Sequence, residues 1–320
     1  GKIWNAVCPV LVLALASGTV QAQDKVKVGV FPVSSSLPHF VAMERGFYKE
    51  QNIDAETVRL IGGPPNIAAL IQNQIDASAV LVTIEGMNAN LKKEGVAMYI
   101  SLNSQNRTYQ MEQFVVRKGL NVKSLAELKG KKIMSAPGPA NVSMAKAALA
   151  AVGLKDGDYQ IDQLDMGQHV NAMTAGTFDA GYTLEPNAAV MRKNGVATTL
   201  EAGLIAKYIL GDPEANAWVA GCAISTDFAK GRPEVAKRFA AAWGKAVKFI
   251  NDNPKEARKH LVKNTFTPED IADSVPLVKF AMVSDLGARD IADLQRFIDF
   301  SVKTGTLPEK VDVAKFMQRF

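Results

Sequence analysis

Hydrophobic and polar positions alternate in short runs along the chain, and each run is followed by a helical pattern. Val26 to Phe31 alternates as a strand does and ends at Pro32, and Ile53 to Leu60 predicts the next strand. Between them, a serine run precedes a proline, which favours a helix start, and apolar residues recur at helical spacing up to Tyr48. Strands that alternate with helices in this way predict parallel sheets covered by helices.

The same order of elements returns about 105 residues later, since Pro137 follows Pro32 by 105 positions. Lys132 to Ala136 predicts a strand that reaches Pro137, an alanine-rich helix ends at Gly153, and Tyr159 to Leu164 predicts the following strand. Two such units predict two similar α/β lobes. A helical tail begins at Arg232-Pro233-Glu234.

The first residues predict a signal peptide rather than folded structure. Lys2 supplies a positive charge, Cys8 to Ala16 an apolar core, and Val20-Gln21-Ala22 a small-residue cleavage site. The apolar run is shorter than the ~20 residues that a membrane helix needs. We therefore expect residues 1–22 to be removed on export. Because Thr19 stands where a lipoprotein has cysteine, we expect no lipid anchor.

Composition and charge narrow the function further. The chain has 37 Lys and Arg against 32 Asp and Glu, without a basic block, so we expect no nucleic-acid partner. Three scattered histidines, and Cys222 as the only cysteine after the signal peptide, predict no metal site and no intramolecular disulfide. The common hydrolase, nucleotide and zinc-protease motifs are absent from the sequence, so we expect neither catalysis nor a cofactor.

The candidate ligand-binding residues lie where predicted strands end or helices begin, with Arg107 in a polar stretch before a strand. In open α/β sheets, ligands bind beyond the carboxyl ends of the strands, and helix N-termini attract anions. Each of these side chains could equally cap a helix, pack in the core or face solvent. The candidates are Ser35, Ser36, His39, Asn66, Thr83, Arg107, Asn141, Ser143, His169, Tyr182 and Glu185.

Four stretches of the chain resemble one known family. They are Ala42 to Asp54 (AMERGFYKEQNID), Leu125 to Ile133 (LAELKGKKI), Ala175 to Ala180 (AGTFDA) and Glu185-Pro186. In this order they are similar to the periplasmic substrate-binding proteins of nitrate-, sulfonate- and taurine-type ABC importers. That family also includes binders of the thiamine pyrimidine precursor.

The resemblance implies an α/β protein of the type II periplasmic-binding fold, with two lobes around a cleft and a helical C-terminal tail. It places lobe 1 at residues 23–112 plus 226–320 and lobe 2 at residues 113–225, with crossovers near Tyr109 to Phe114 and Trp218 to Ser225. We accordingly expect a periplasmic monomer that closes on a small-molecule ligand. Its partners would be an ABC permease and the ATPase of that permease.

The sequence leaves the ligand open. A buried Glu185 carboxylate disfavours a lone small anion, so we favour a sulfonate- or taurine-like solute, or another small acid, that also carries N–H donors. The alternatives are an aminopyrimidine or aromatic acid stacked on Tyr182 or Tyr109, and service to a chemoreceptor or sensor instead of a permease. An enzyme on the same fold is a further alternative, which the single cysteine of the exported chain disfavours.

Overall fold

The computed structural model describes residues 1–4, 18 and 22–320. Most of the predicted signal peptide, residues 5–17 and 19–21, lies outside the described residues. Within the described residues, the chain forms one six-stranded and one five-stranded sheet, with helices packed against them. Among the helices of the described residues, none combines the length and the hydrophobicity that a membrane span requires.

The strands confirm most of the alternating runs predicted from the sequence, to within one or two residues. They are β1 (Asp24–Val30), β2 (Ile53–Arg59), β3 (Ala77–Val82), β4 (Met98–Gln105), β5 (Gln113–Arg117), β6 (Lys132–Ser135), β7 (Gln160–Gln163), β8 (Ala180–Thr183), β9 (Ala197–Ala202), β10 (Ala217–Ile224) and β11 (Lys279–Met282).

The helices fill the segments between the strands and form most of the C-terminal tail. They are α1 (Leu37–Glu44), α2 (Phe47–Glu50), α3 (Gly63–Ile71), α4 (Thr83–Lys92), α5 (Pro139–Ala151), α6 (His169–Thr174), α7 (Asn187–Asn194), α8 (Thr226–Gly231), α9 (Pro233–Asp252), α10 (Pro254–Arg258), α11 (Glu269–Ala272) and α12 (Ala288–Lys303). The chain turns between α1 and α2 because Gly46 has a φ of 77°, a conformation that favours glycine. Short 3₁₀ turns lie at Ser34–Ser36, Leu125–Leu128, Met166–Gln168, Lys259–Leu261, Val283–Asp285 and Val313–Phe316, and a π-helical turn at Ile205–Ile209.

The two sheets repeat one strand order. The first runs β2-β1-β3-β10-β4 with β11 at its edge, and the second runs β7-β6-β8-β5-β9. In each sheet the first three strands are parallel, whereas the fourth is antiparallel to both neighbours. In the first sheet this fourth strand, β10, follows all strands of the second sheet in sequence. This repeat confirms the two similar α/β units predicted from the sequence. The expected parallel pairing is confirmed for the first three strands of each sheet, whereas the antiparallel strands β10 and β5 make both sheets mixed.

Two connections run between the sheets. Residues 106–112 join β4 to β5, close to the first predicted crossover, and residues 203–216 join β9 to β10. Strand β10 lies between β3 and β4, and all eight of its residues are buried. It therefore belongs to the first sheet and not to the unit at residues 113–225, so the second connection ends before Ala217.

The C-terminal tail returns to the first sheet and supplies its core. Phe239 of α9 stacks on Tyr48 with the ring centroids 5.7 Å apart, and the Trp243 indole N–H donates to the Ser101 hydroxyl at 2.9 Å. Phe239 and Trp243 are both fully buried. The apolar residues of the tail thus serve packing, as their helical spacing predicts.

Candidate functional site

A cleft lies between the two sheets. The loops after β1 and β2 and the start of α4 contribute to one wall, and the start of α5 and the loop after β8 contribute to the other. The cleft is therefore at the carboxyl ends of the parallel strands, where the sequence predicts ligand binding. Its apolar lining includes Phe31, Val33, Val80, Val82, Met111 and Leu184.

The polar lining of the cleft is rich in oxygen acceptors. Both of its ionisable side chains, Glu85 and Glu112, are acids, and no Lys, Arg or His is among its lining residues. Across the described residues, no group of three or more His, Cys, Asp or Glu side chains is arranged to hold a metal ion. The side chains of the polar lining are Ser35, Glu85, Asn103, Gln105, Glu112 and Asn141.

Glu85 lies in the first turn of α4 and points to the starts of two other helices. A Cβ atom at Gly63, where α3 begins, would overlap the Glu85 carboxyl group, and a Cβ at Gly138, before α5, would lie 3.3 Å from Glu85 Oε1. Glycine at these positions leaves room for the carboxyl group. Burial raises the pKa of Glu85 to about 7, and the Ala140 N–H opposes this shift. Among the described residues, its Oε2 has no hydrogen-bond partner.

Glu112 lies on the connection between the sheets and is 4% exposed. Its backbone N–H donates to Gln105 Oε1 at 3.3 Å, whereas its own Oε2 has no partner. Burial raises the pKa of Glu112 to about 7, and a hydrogen bond between the carboxyl group and the Gln105 side chain opposes the shift. The cleft therefore contains two acids that titrate near neutral pH.

Two asparagines hold corresponding glycine-containing loops beside the cleft. Asn66 Nδ2 donates to the Gly62 carbonyl at 2.8 Å, and Asn141 Nδ2 donates to the Pro137 carbonyl at 2.8 Å. Asn66 Oδ1 accepts from the Ser78 hydroxyl at 2.9 Å. Asn141 Oδ1, in contrast, has no partner. The two loops have the same construction, and one of them leaves a free acceptor at the cleft.

Comparison with models of known protein families identifies the family of this chain. The family model described as NMT1/THI5 like matches residues 34–257. The chain belongs to the NMT1/THI5-like family. The match spans both sheets, and it agrees with the resemblance that the four sequence stretches indicate.

Curated relatives of this NMT1/THI5-like chain are similar at low identity. A candidate binding protein of Brucella abortus (strain 2308) is 25% identical over 218 residues, which are 68% of this chain. The chain spans only 64% of the length of that relative. A candidate aliphatic sulfonates-binding protein of Bacillus subtilis (strain 168) is 24% identical over 306 residues, covering 93% of this chain and 87% of the relative.

Solved structures of the same fold include both binding proteins and an enzyme. The alkanesulfonate-binding protein SsuA from Xanthomonas axonopodis pv. citri, bound to MOPS, has a TM-score of 0.74 at 19% identity, covering 94% of this chain and 100% of SsuA. The desulfurization enzyme DSZB has a TM-score of 0.67 at 15% identity, covering 92% and 96% of the two chains. These likenesses confirm the two-lobed periplasmic-binding fold.

Of the predicted site residues, Ser35 and Asn141 line the cleft. Three others stabilise the surrounding backbone instead. The Ser36 hydroxyl donates to the Phe31 carbonyl at 2.5 Å, and the Thr83 hydroxyl lies 2.9 Å from the Val219 carbonyl of β10. Asn66 is fully buried, and the bonds described above occupy its amide. These three side chains therefore position the walls of the cleft.

The two predicted histidines lie in the interior and not in the cleft. His39 contacts the Tyr48 hydroxyl through Nδ1 at 2.9 Å and the Thr57 hydroxyl through Nε2 at 2.8 Å, and burial lowers its pKa to about 3. His169 contacts the Thr183 hydroxyl at 2.8 Å and the Leu164 carbonyl at 3.0 Å, and burial also lowers its pKa. Since both nitrogens of each ring are occupied, neither imidazole offers a group to a ligand.

Glu185 takes the helix-capping position that the sequence left open as an alternative, and it is not among the residues that line the cleft. Oε1 accepts from the Ala189 N–H at 2.9 Å, and Oε2 pairs with Arg192 Nη2 at 3.2 Å. Burial raises the pKa of Glu185 to about 7, although Arg192 opposes the shift. The Glu185 backbone carbonyl accepts from the Ser34 N–H at 3.2 Å, a contact between the two halves of the molecule.

The last three predicted residues lie beside or outside the cleft. The exposed Arg107 side chain pairs with Glu214. The Ser143 hydroxyl contacts Thr306 at 2.6 Å and lines a separate, open groove. Tyr182 is fully buried with an unpartnered hydroxyl. Its burial raises the tyrosine pKa well above the usual value, and Glu112 contributes to the shift.

Sequence reasoning missed the two acids of the cleft. One sequence signal could have indicated Glu85, because Thr83-Ile84-Glu85 corresponds to Thr183-Leu184-Glu185 one hundred positions later. Glu112 has no comparable counterpart, since it belongs to a connection between the sheets. Asn103 and Gln105 end β4, a strand that the sequence analysis did not predict.

Proposed function

We propose that this chain is the solute-binding component of an importer, and that it captures a small molecule in the cleft by closing its two lobes. The observation that carries the proposal is the cleft itself, which both halves of the molecule line with strand ends and helix starts. Apolar walls with a few buried polar groups are typical of small-molecule sites. The names of the relatives and of the SsuA structure support the same function.

We assign residues 23–105 and 217–320 to the first lobe and residues 113–202 to the second. The two connections, residues 106–112 and 203–216, would then act as the hinge. Two backbone hydrogen bonds lie at this junction, from the Ser34 N–H to the Glu185 carbonyl and from the Glu185 N–H to the Met111 carbonyl, both at 3.2 Å. Opening of the cleft would separate Ser34 from Glu185.

We further propose that the chain is exported to the periplasm as a free monomer and hands its solute to a membrane permease driven by an ATPase. The predicted signal peptide and the periplasmic sulfonate-binding and nitrate-binding proteins of the same fold support this placement. N-terminal sequencing of the exported protein should give Gln23. A retained or lipid-modified N-terminus would contradict this part of the proposal.

Catalysis is the second candidate function, because DSZB has the same fold. A thiol nucleophile must be ionised and accessible. Cys222 is fully buried in β10, and burial raises its pKa well above the usual value. It is not among the residues that line the cleft. We therefore favour binding, and we expect no turnover of aromatic sulfinates or sulfonates by the purified protein.

The proposed function is tested by thermal melting of protein that has been unfolded, dialysed and refolded to remove bound solute. The panel contains nitrate, taurine, alkyl and aryl sulfonates, carboxylates, amines and amidines. A ligand at ~100 times its Kd should add ~2.7 kcal/mol to the free energy of unfolding, a shift of several degrees. Small-angle scattering should show a smaller radius of gyration with that ligand, because the lobes close.

Two variants on the same helix provide a matched comparison. Asn141→Ala removes a cleft amide, and Ser143→Ala removes a hydroxyl that faces another groove. We expect Asn141→Ala to weaken ligand binding several-fold or more and Ser143→Ala to leave it unchanged. Equal effects of the two variants, or no shift with any panel member, would contradict binding in this cleft.

A further inference from the structure

The unpartnered polar atoms that line the cleft are all acceptors. Across the described residues, buried side-chain atoms without a hydrogen-bond partner include Glu85 Oε2, Glu112 Oε2 and Asn141 Oδ1, and these three residues line the cleft. Glu85 is 8% exposed and Glu112 4% exposed, so little solvent reaches them. A buried acceptor without a partner is costly, and a ligand that donates N–H groups would remove that cost.

The Glu85 carboxyl group also occupies the position at which the N-termini of α3 and α5 would attract an anion. Helix N-termini favour negative charge, and the Glu85 carboxyl group lies against Gly63 at the start of α3 and near Gly138 before α5. An incoming sulfonate or nitrate would have to share this place with the carboxyl group. No Lys, Arg or His among the lining residues could compensate its charge.

We propose that the ligand of this cleft presents a protonated nitrogen group, such as an amine, amidine or guanidine, to Glu85 and Glu112. Asn141 Oδ1 supplies a further acceptor for its N–H donors. The proposal rests on the proposed function and adds the chemical class of the solute. It also separates this chain from relatives that are named for sulfonates, since their names describe ligands of the opposite charge.

Three probes of similar shape and different charge test the proposal: benzamidine, benzamide and benzenesulfonate. Isothermal titration calorimetry of the intact, solute-free protein should give the lowest Kd for benzamidine, at least tenfold below those of benzamide and benzenesulfonate. Tightest binding of benzamide would overturn the need for a positive charge. Tighter binding of benzenesulfonate than of benzamidine would overturn the proposal and leave the proposed function intact.

The pH dependence of benzamidine binding distinguishes a cationic ligand from a neutral N–H donor. Glu85 and Glu112 have pKa values of about 7, so a cation should bind more tightly as pH rises from 6 to 8 and should release protons. The other titratable groups beside them, Tyr99 and Tyr182, have pKa values raised well above the usual range by burial and stay neutral. Benzamidine binding that is independent of pH would contradict a role for the two carboxylates.

Variants of Glu85 and Glu112 test whether these two acids cause the tight binding of benzamidine and its pH dependence. Glu85→Gln and Glu112→Gln should each weaken benzamidine binding tenfold or more and flatten its pH dependence, while melting curves verify that the variants fold. Glu309→Gln, at an exposed position away from the cleft, should leave both properties unchanged. Unchanged benzamidine affinity in both cleft variants would overturn the proposal. If no panel member and none of the three probes binds, the proposed function fails together with it.

Discussion

Replacing Glu85 by glutamine should stabilise the protein without ligand at pH 8. Burial raises the pKa of this carboxyl group from 4.5 to about 7. At ~1.36 kcal/mol per pKa unit, ionising it in the folded state costs about 3 kcal/mol. Glutamine has nearly the same shape and no charge, but its amide is also buried at some cost, so we expect a net gain of about 1–2 kcal/mol.

The sign of the pH dependence follows from the raised pKa. Below pH 4.5 the carboxyl group is protonated in both the folded and the unfolded chain, so the variant gains nothing. Between pH 4.5 and about 7 the unfolded chain loses its proton first, and the wild type becomes less stable as pH rises. Above about pH 7 the full difference between variant and wild type should be present.

Urea denaturation at pH 4, 6 and 8 measures this difference directly, with Glu309→Gln as the exposed control. The Glu85→Gln variant should unfold at higher urea than wild type at pH 8 and at nearly the same urea at pH 4. Glu112→Gln should behave in the same way because the pKa of Glu112 is also raised to about 7. A stability difference that does not change with pH would refute the reasoning, and so would a loss of stability in Glu85→Gln at pH 8.

Two further predictions concern groups outside the cleft. Arg192→Met should lower the free energy of unfolding by about 3 kcal/mol at pH 8 in urea titrations, because the buried Glu185 carboxylate loses its paired charge. The loss should be smaller at pH 5, where Glu185 is protonated. An equal loss at both pH values would contradict this. His39→Gln should weaken the loss of stability between pH 6.5 and 3, because only the unfolded chain protonates His39 in that range, and it should leave ligand affinity unchanged.

The order of strands and helices could be predicted from the sequence because it depends on local periodicity. The runs at β1, β2, β6 and β7 could be predicted as short strands, and proline follows the runs at β1 and β6. The sheet to which a strand belongs could not be predicted in this way. Strand β10 pairs with β3 and β4 across more than a hundred residues of sequence, and no local pattern encodes that choice.

The candidate side chains were harder to place, because the sequence locates a residue at a strand end without fixing its direction. His39 and His169 occupy equivalent helix starts, but both rings turn inward to hydroxyl groups of neighbouring elements. Ser35, in a 3₁₀ turn, and Asn141, in the first turn of α5, line the cleft instead. Direction depends on which partner reaches each side chain in the folded protein, and that partner is distant in sequence.

The two glutamates that follow β3 and β8 illustrate how a local difference changes such a direction. Gly86 follows Glu85, and α4 has already begun at Thr83, so Glu85 lies within the first turn and projects toward the cleft. Pro186 follows Glu185, and α7 begins only at Asn187, so the Glu185 carboxylate precedes its helix and accepts the Ala189 N–H.

The charge that faces each of these glutamates differs as well. Arg192 lies seven residues after Glu185, and its guanidinium reaches back to the Glu185 carboxylate at 3.2 Å. Lys92 lies seven residues after Glu85 but is exposed at the end of α4. The corresponding acids of the two similar units thus differ in their partners: Glu185 is paired with its own arginine, whereas no Lys, Arg or His is among the residues that line the cleft with Glu85. A cation supplied by the ligand would give Glu85 the partner that Glu185 already has.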